Sequence, residues 1–401
     1  MVNNKFIFKD YAANENNPKW NQMIKREQEL YSKPGDIRSP FERDFNRILH
    51  TNAYNRLKHK TQVFYSPEND HISTRIEHVN YVESISYTIA NYLGLNSELT
   101  RAIACGHDVG HGPFGHKGEK VLSSISQREL DKPFWHEQNG LNIVDDVELL
   151  DDYEGNKQNL NLTYAVRDGI ISHCGEIDEN SLKPREEAID LKEYTKPNEY
   201  APFTWEGCIV KISDKISYLG RDIDDAIEEK FLTDEMLDEL SEITGIASRT
   251  SNSAIINTLV TDICENSSPE DGIRLSKTAV EMMNKIKAFN YKYIYGAKRM
   301  TPSNKYFDLV INQIFDILID TYDGENTPNK ILEMSKYYPN LSNNFYNWIA
   351  KYWNIGNRTG LNNKIIFDIN KKEDYIQAII YYISGMTDKF AIDMYNEIIH
   401  F

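Results

Sequence analysis

Apolar residues recur every three or four positions along most of the chain, the spacing that lines one face of an α-helix. Sustained two-residue alternation is missing, as are Asn-Gly turns between apolar runs, so the pattern predicts an all-α fold. In residues 78–93, HVNYVESISYTIANYL, the stripe is Val82, Ile85 and Ile89, and His78 falls on it, which turns an imidazole inward. The next predicted helix, 97–109, buries Leu99, Ala102, Ile103 and Gly106, and His107 and Asp108 arrive as it ends at Gly110, Gly112, Pro113 and Gly115. A third, 208–227, puts Ile209, Ile212, Ile216, Leu219 and Ile223 on one side and Asp214, Tyr218, Arg221, Asp222 and Asp225 on the other. A solvated face is the ordinary reading of that polar side.

The patterning divides the chain into an N-terminal arm (1–38), a helical core (39–250) and a further helical region packed on it (251–401). Residues 150–200, polar and interrupted by Pro184 and Pro197, read as a loop or lid. A 40% hydrophobic content with 25 Tyr, 16 Phe and 5 Trp predicts an ordered chain. No run of 18 apolar residues occurs and the first residues hold no apolar signal core, so the expectation is a cytoplasmic protein with no membrane span. Cys105, Cys174, Cys208 and Cys264 are far apart with no CxxC pairing, and read as free thiols, most of them buried.

With 45 basic against 61 acidic residues the net charge is −16, which repels a phosphate backbone, so nucleic acid is not the default partner. A small anionic substrate stays open, because a cation with a few Lys and Arg reverses the potential inside a cleft. Such a cation needs imidazole nitrogens and carboxylate oxygens converging from several elements, since one helix cannot surround it. His78 begins one helix, His107 and Asp108 end another, and Asp214 projects from a third. Each alone is more often structural; their occurrence together is much less often accidental.

This ordered set resembles the H…HD…D metal signature of HD-domain phosphohydrolases. The segments 43–64 (RDFNRILHTNAYNRLKHKTQVF), 74–78 (TRIEH), 107–119 (HDVGHGPFGHKGE), 135–138 (WHEQ), 214–225 (DKISYLGRDIDD) and 385–391 (GMTDKFA) narrow it to the deoxyguanosine triphosphate triphosphohydrolases and their dNTP-cleaving relatives. The likeness runs from about residue 39 to about 395. It implies an HD helical core with added C-terminal helices, and hydrolysis of a dNTP, dGTP foremost, to deoxynucleoside and tripolyphosphate. It also implies one divalent ion per site, Mn²⁺ or Mg²⁺ ahead of Fe, Co, Ni or Zn. By the same resemblance His78, His107, Asp108 and Asp214 hold the metal, and His116 transfers a proton with Glu119 orienting it. His111 stands between the metal and that histidine, also in a catalytic role. Arg75, Lys215 and His136 meet the phosphates, and Gln62, Tyr218 and Asp222 hold the sugar, Tyr218 closing off the 2′ position.

His173, like His50, His59, His71 and His400, reads as structural. Gly112 and Glu77 depart from the bacterial pattern without removing a functional group, and weigh against strict dGTP exclusivity. The family relationship further implies a homo-oligomer with an activating nucleotide between subunits. Single-stranded DNA on Lys292, Lys298 and Arg299 is less favoured than a solvated surface. The competing readings are an HD phosphohydrolase of monophosphates, cyclic nucleotides or guanosine tetraphosphate, and a nucleotide-sensing or nucleic-acid-binding protein.

Overall fold

A computed structural model describes residues 5–30, 35–65, 69–174, 181–245 and 252–400. As the periodicity predicts, it is all-α, with seventeen α-helices among the described residues. One small hairpin, Leu149–Asp151 antiparallel to Lys157–Asn159, went unpredicted, because three-residue strands are too short to show alternation. No helix among the described residues is long and apolar enough to cross a membrane. All four cysteines are free, and Cys105, Cys208 and Cys264 are buried.

The chain forms two compact units, each discontinuous in sequence. The first comprises Met1–Asn46, Gln62–Asp108 and Leu162–Thr301, and the second Arg47–Thr61, Val109–Asn161 and Pro302–Phe401. The division falls between Asp108 and Val109, inside the histidine-rich stretch.

In the first unit the helices Arg75–Leu93, Ser97–Gly106 and Trp205–Glu228 carry the predicted apolar stripes. Ile85, Ile89 and Leu93 join Ile209, Ile212, Ile216, Leu219 and Ile223 in one core. The helix ends are set locally. Thr74 and Glu77 form a capping box, with the Thr74 N–H donating to Glu77 Oε2 at 2.5 Å, which gives Glu77 a structural task. Asn96 Oδ1 accepts from the N–H groups of Glu98 and Leu99 at 3.0 and 3.1 Å.

One stretch differs from the sequence expectation. Residues 164–172 lie in the span read as a lid, yet Tyr164–Ser172 is a helix buried at every position. Its charges misled the pattern: Asp168 accepts from Arg185 and, at 2.7 Å, from the Phe203 N–H, so it is satisfied inside. Gly169 is what its packing needs, because a Cβ there would stand 2.6 Å from Ile103. The N-terminal arm is fastened at a few points. Phe8 is fully buried with its ring 4.9 Å from that of Trp205, and Glu206 Oε1 accepts from the Ala13 N–H at 2.9 Å.

The second unit includes the helices Gly115–Leu130, His136–Asn142, Pro339–Ile349, Lys372–Ser384 and Asp388–Ile399, with Phe345, Ile379 and Ile383 fully buried. Phe114, at φ +63°, stacks on Phe307 with centroids 4.3 Å apart.

Candidate functional site

The first unit brings four of the sequence-picked residues to one point. His78 lies on the first turn of Arg75–Leu93, and His107 is the C-cap of Ser97–Gly106 with Asp108 next. Asp214 projects from the middle of Trp205–Glu228. His78 Nε2 is 2.9 Å from Asp214 Oδ1, 3.4 Å from His107 Nε2 and 3.8 Å from Asp108 Oδ2. His107 Nε2 is 3.6 Å from Asp108 Oδ1 and 3.7 Å from Asp214 Oδ1.

Both rings are aimed from behind. His107 Nδ1 lies 2.7 Å from the Ala104 carbonyl, and His78 Nδ1 lies 3.2 Å from Ser217 Oγ, so each presents Nε2 to the centre. His78, His107 and Asp214 offer ligand atoms within 4.8 Å of one another, a donor set that suits a divalent ion, and Asp108 Oδ1 lies 3.6 Å from His107 Nε2 beside them. Burial lowers the His107 pKa to about 4 against the pull of Asp108 and Asp214, leaving it neutral at pH 7 and able to ligate. Burial would raise Asp214, but the His78 hydrogen bond and the imidazoles outweigh it and hold that carboxylate well below its usual range. Burial likewise opposes a charged His78, yet the Asp214 hydrogen bond and Asp108 prevail and raise its pKa.

Arg75, almost wholly buried, donates from Nη1 to Asp108 Oδ2 at 2.7 Å, while its Nε and Nη2 are buried with no partner among the described residues. Orphaned guanidinium donors of this kind cost about 1–3 kcal/mol and favour an arriving anion. Lys215 is buried one residue beyond Asp214. Asp222, two turns on, accepts from Tyr295 OH, and burial lifts its pKa to about 7. Asp222 Oδ1 and the buried Gln62 Oε1 have no partner among the described residues. Tyr218 packs half-buried against the core. Asp225 and Arg221, read as companions of this face, instead tether the segment before Arg75: Ser73 donates to Asp225 from N–H and Oγ, both at 3.1 Å.

The second unit holds the other set. His116 is on the first turn of Gly115–Leu130, its side chain 70% exposed, with Nδ1 3.6 Å from Glu119 Oε2. Glu119 serves more than His116. Its Oε1 accepts from the His136 N–H at 3.0 Å and lies 3.1 Å from His136 Nδ1, and its Oε2 is 3.9 Å from His111 Nδ1. Burial opposes its charge, but the three imidazoles hold it well below the ordinary Glu value. The His111 and His136 rings stack at 3.7 Å. Gly110 allows this packing, since a Cβ there would meet the His136 carbonyl at 2.0 Å and the Gly140 N at 2.3 Å.

Two residues escaped sequence reasoning. His173, read as structural, ends a buried helix as His107 does, its Nδ1 2.6 Å from the Ile170 carbonyl and its ring 4.9 Å from that of His107. It forms with His107 and Asp108 a group whose ligand atoms lie within 4.8 Å of one another. Its position at the end of a buried apolar run was the available signal. Tyr295, on the turn Tyr291–Tyr295, reaches Asp222 across 73 residues, which no local pattern discloses.

Comparison with known proteins matches residues 75–219 to the HD domain. Three curated relatives carry the name deoxyguanosinetriphosphate triphosphohydrolase-like protein. The one from Caldanaerobacter subterraneus subsp. tengcongensis is 34% identical over 90% of this chain and 86% of its own. That of Desulfatibacillum aliphaticivorans is 35% identical over 73% and 76%, and that of Rickettsia prowazekii 30% over 94% and 96%.

Proposed function

Because the chain belongs to the deoxyguanosinetriphosphate triphosphohydrolase-like family of HD-domain phosphohydrolases, we propose that it hydrolyses dNTPs, dGTP among them, to deoxynucleoside and tripolyphosphate. The observation that carries this reading is the convergence of His78, His107, Asp108 and Asp214 beside the partly unpaired Arg75 guanidinium. It combines cation ligands with an anion receptor, as a phosphate ester requires.

A divalent ion bound there supplies charge neutralisation at an α-phosphate oxygen and a lowered pKa for a bound water. Arg75 and Lys215 add fixed positive charge against the triphosphate oxygens. Gln62 and Asp222 pair with the 3′-hydroxyl, Tyr295 orients Asp222, and Tyr218 closes the 2′ position, which selects deoxyribose. His116 gives a proton to the departing 5′-oxygen, with Glu119 orienting it, and His111 and His136 attend the phosphates. The chain passes from Asp108, the last donor of the HD pair, to His111 through Val109 and Gly110 alone. Mn²⁺ and Mg²⁺ are the ions proposed first, and a homo-oligomer activated by nucleotide belongs to the same reading.

The test is turnover of each dNTP and each ribonucleotide, singly and in dNTP pairs, with Mn²⁺ or Mg²⁺. Deoxynucleoside release from at least one dNTP is expected, with His116→Ala slower by roughly a hundredfold to ten-thousandfold. Turnover of monophosphates, cyclic nucleotides or guanosine tetraphosphate alone would replace the reading with another phosphohydrolase class.

A further inference from the structure

The stretches 57–61 and 384–391 carry no chemistry in the proposed reaction, yet their buried polar side chains converge on the loop that carries His111 and His116. Asp388, 4% exposed, accepts from the Phe114 N–H with Oδ1 and from the Thr61 N–H with Oδ2, both at 2.8 Å. Lys60, 2% exposed, donates from Nζ to the His111 carbonyl and, at 2.9 Å, to the Ser384 carbonyl. Asn139 Nδ2 donates to the Gly110 carbonyl at 2.7 Å and to Ser384 Oγ at 3.1 Å.

Three points of the loop, at Gly110, His111 and Phe114, are therefore held by side chains from distant parts of the sequence. The loop cannot hold itself: it is rich in glycine, and Phe114 sits at φ +63°. Fixing the Phe114 N–H also fixes the start of Gly115–Leu130, the helix that displays His116 and Glu119. Displacement of such groups by about 1 Å costs on the order of a hundredfold in rate.

We propose that Asp388, Lys60 and Asn139, the last two bonded to Ser384, are positioning residues that set the geometry of the proton-transfer histidines. This rests on the reading that His116 and Glu119 serve proton transfer. Asp388→Asn tests it directly, because an amide offers one acceptor oxygen to two N–H groups. Ser384→Ala is the milder second variant, removing only the hydroxyl that Asn139 uses.

The experiment measures kcat, KM and their pH profiles per folded molecule with Mg²⁺, and follows the imidazoles of His111, His116 and His136 by ¹⁵N NMR titration. Within the second unit the carboxylates facing these imidazoles include Glu119 and Glu137. Asp388→Asn is expected to lower kcat roughly 10- to 100-fold, with KM within about twofold, and Ser384→Ala to lower it about threefold. In both, the kcat pH profile and the His116 and His136 midpoints move. Profiles and midpoints identical to wild type, with any rate loss explained by unfolded protein, would overturn the proposal. If Asp388→Asn does not fold, Ser384→Ala decides alone. A wild-type protein that releases no deoxynucleoside sinks the functional reading, and the titration then still decides the anchoring.

Discussion

The Nε2 atoms of His78 and His107 face each other at 3.4 Å, while the Nδ1 atom of each ring points to an oxygen behind it. With hydrogens on the Nδ1 atoms, two lone pairs meet in a buried space beside two carboxylates, an arrangement that a proton or a cation relieves.

Cation binding is therefore expected to stabilise the protein, since a ligand that binds only the folded state contributes about RT ln(1 + [L]/Kd). Thermal unfolding should shift upward with Mn²⁺, with one ion per chain by elemental analysis. His107→Ala and Asp214→Ala should lose both the shift and the ion. Retention of stoichiometric metal in either variant would contradict the assignment.

Metal affinity should also depend on pH with a defined sign. The His78 pKa is raised above 6.5 by Asp214 and Asp108 against the opposing effect of burial, so below that raised value a proton occupies the nitrogen that the metal needs. Calorimetry in buffers of different ionisation enthalpy should show proton release on binding, and affinity that climbs with pH until His78 is neutral. An affinity flat from pH 6 to 8 would be the opposing result.

Asp222 gives a second pH signature, opposite to that of an ion-paired carboxylate. Its folded pKa of about 7, raised by burial, exceeds the ordinary 3.8, so between the two values the native state binds more protons than the unfolded one. Its contribution to stability is therefore lost as pH rises from about 4 to about 7. Asp222→Asn, which cannot ionise, should gain in melting temperature relative to wild type as pH rises across that range. A constant difference would show that Asp222 does not titrate there.

Gly110→Ala should destabilise the fold, because the added methyl would overlap the His136 carbonyl and the Gly140 N. Overpacking of this kind costs about 1–3 kcal/mol. A fall of several degrees in melting temperature is expected by calorimetry, and an unchanged value would mean that the loop re-forms elsewhere.

What could be read from the sequence follows from how far each contact reaches. The three helices bearing His78, His107 and Asp214 have strong apolar stripes, and a donor's place on such a helix decides which way it points. The buried helix Tyr164–Ser172 was hidden because a helix covered on every side has no periodic polar face. Glu119 and His136, 17 residues apart, and Asp222 and Tyr295, 73 apart, meet through tertiary packing that a linear pattern does not encode. The spacing of His116 and Glu119 foretold a one-to-one pair, whereas the shorter contact is to His136.

The central claim is a cut at the α-phosphorus by water. Its most direct measurement is a dNTP reaction run in H₂¹⁸O with Mn²⁺, followed by ³¹P NMR and mass analysis of the products. The account predicts intact tripolyphosphate carrying one ¹⁸O and an unlabelled deoxynucleoside. Orthophosphate or pyrophosphate as the primary product, or label in the deoxynucleoside, would contradict it.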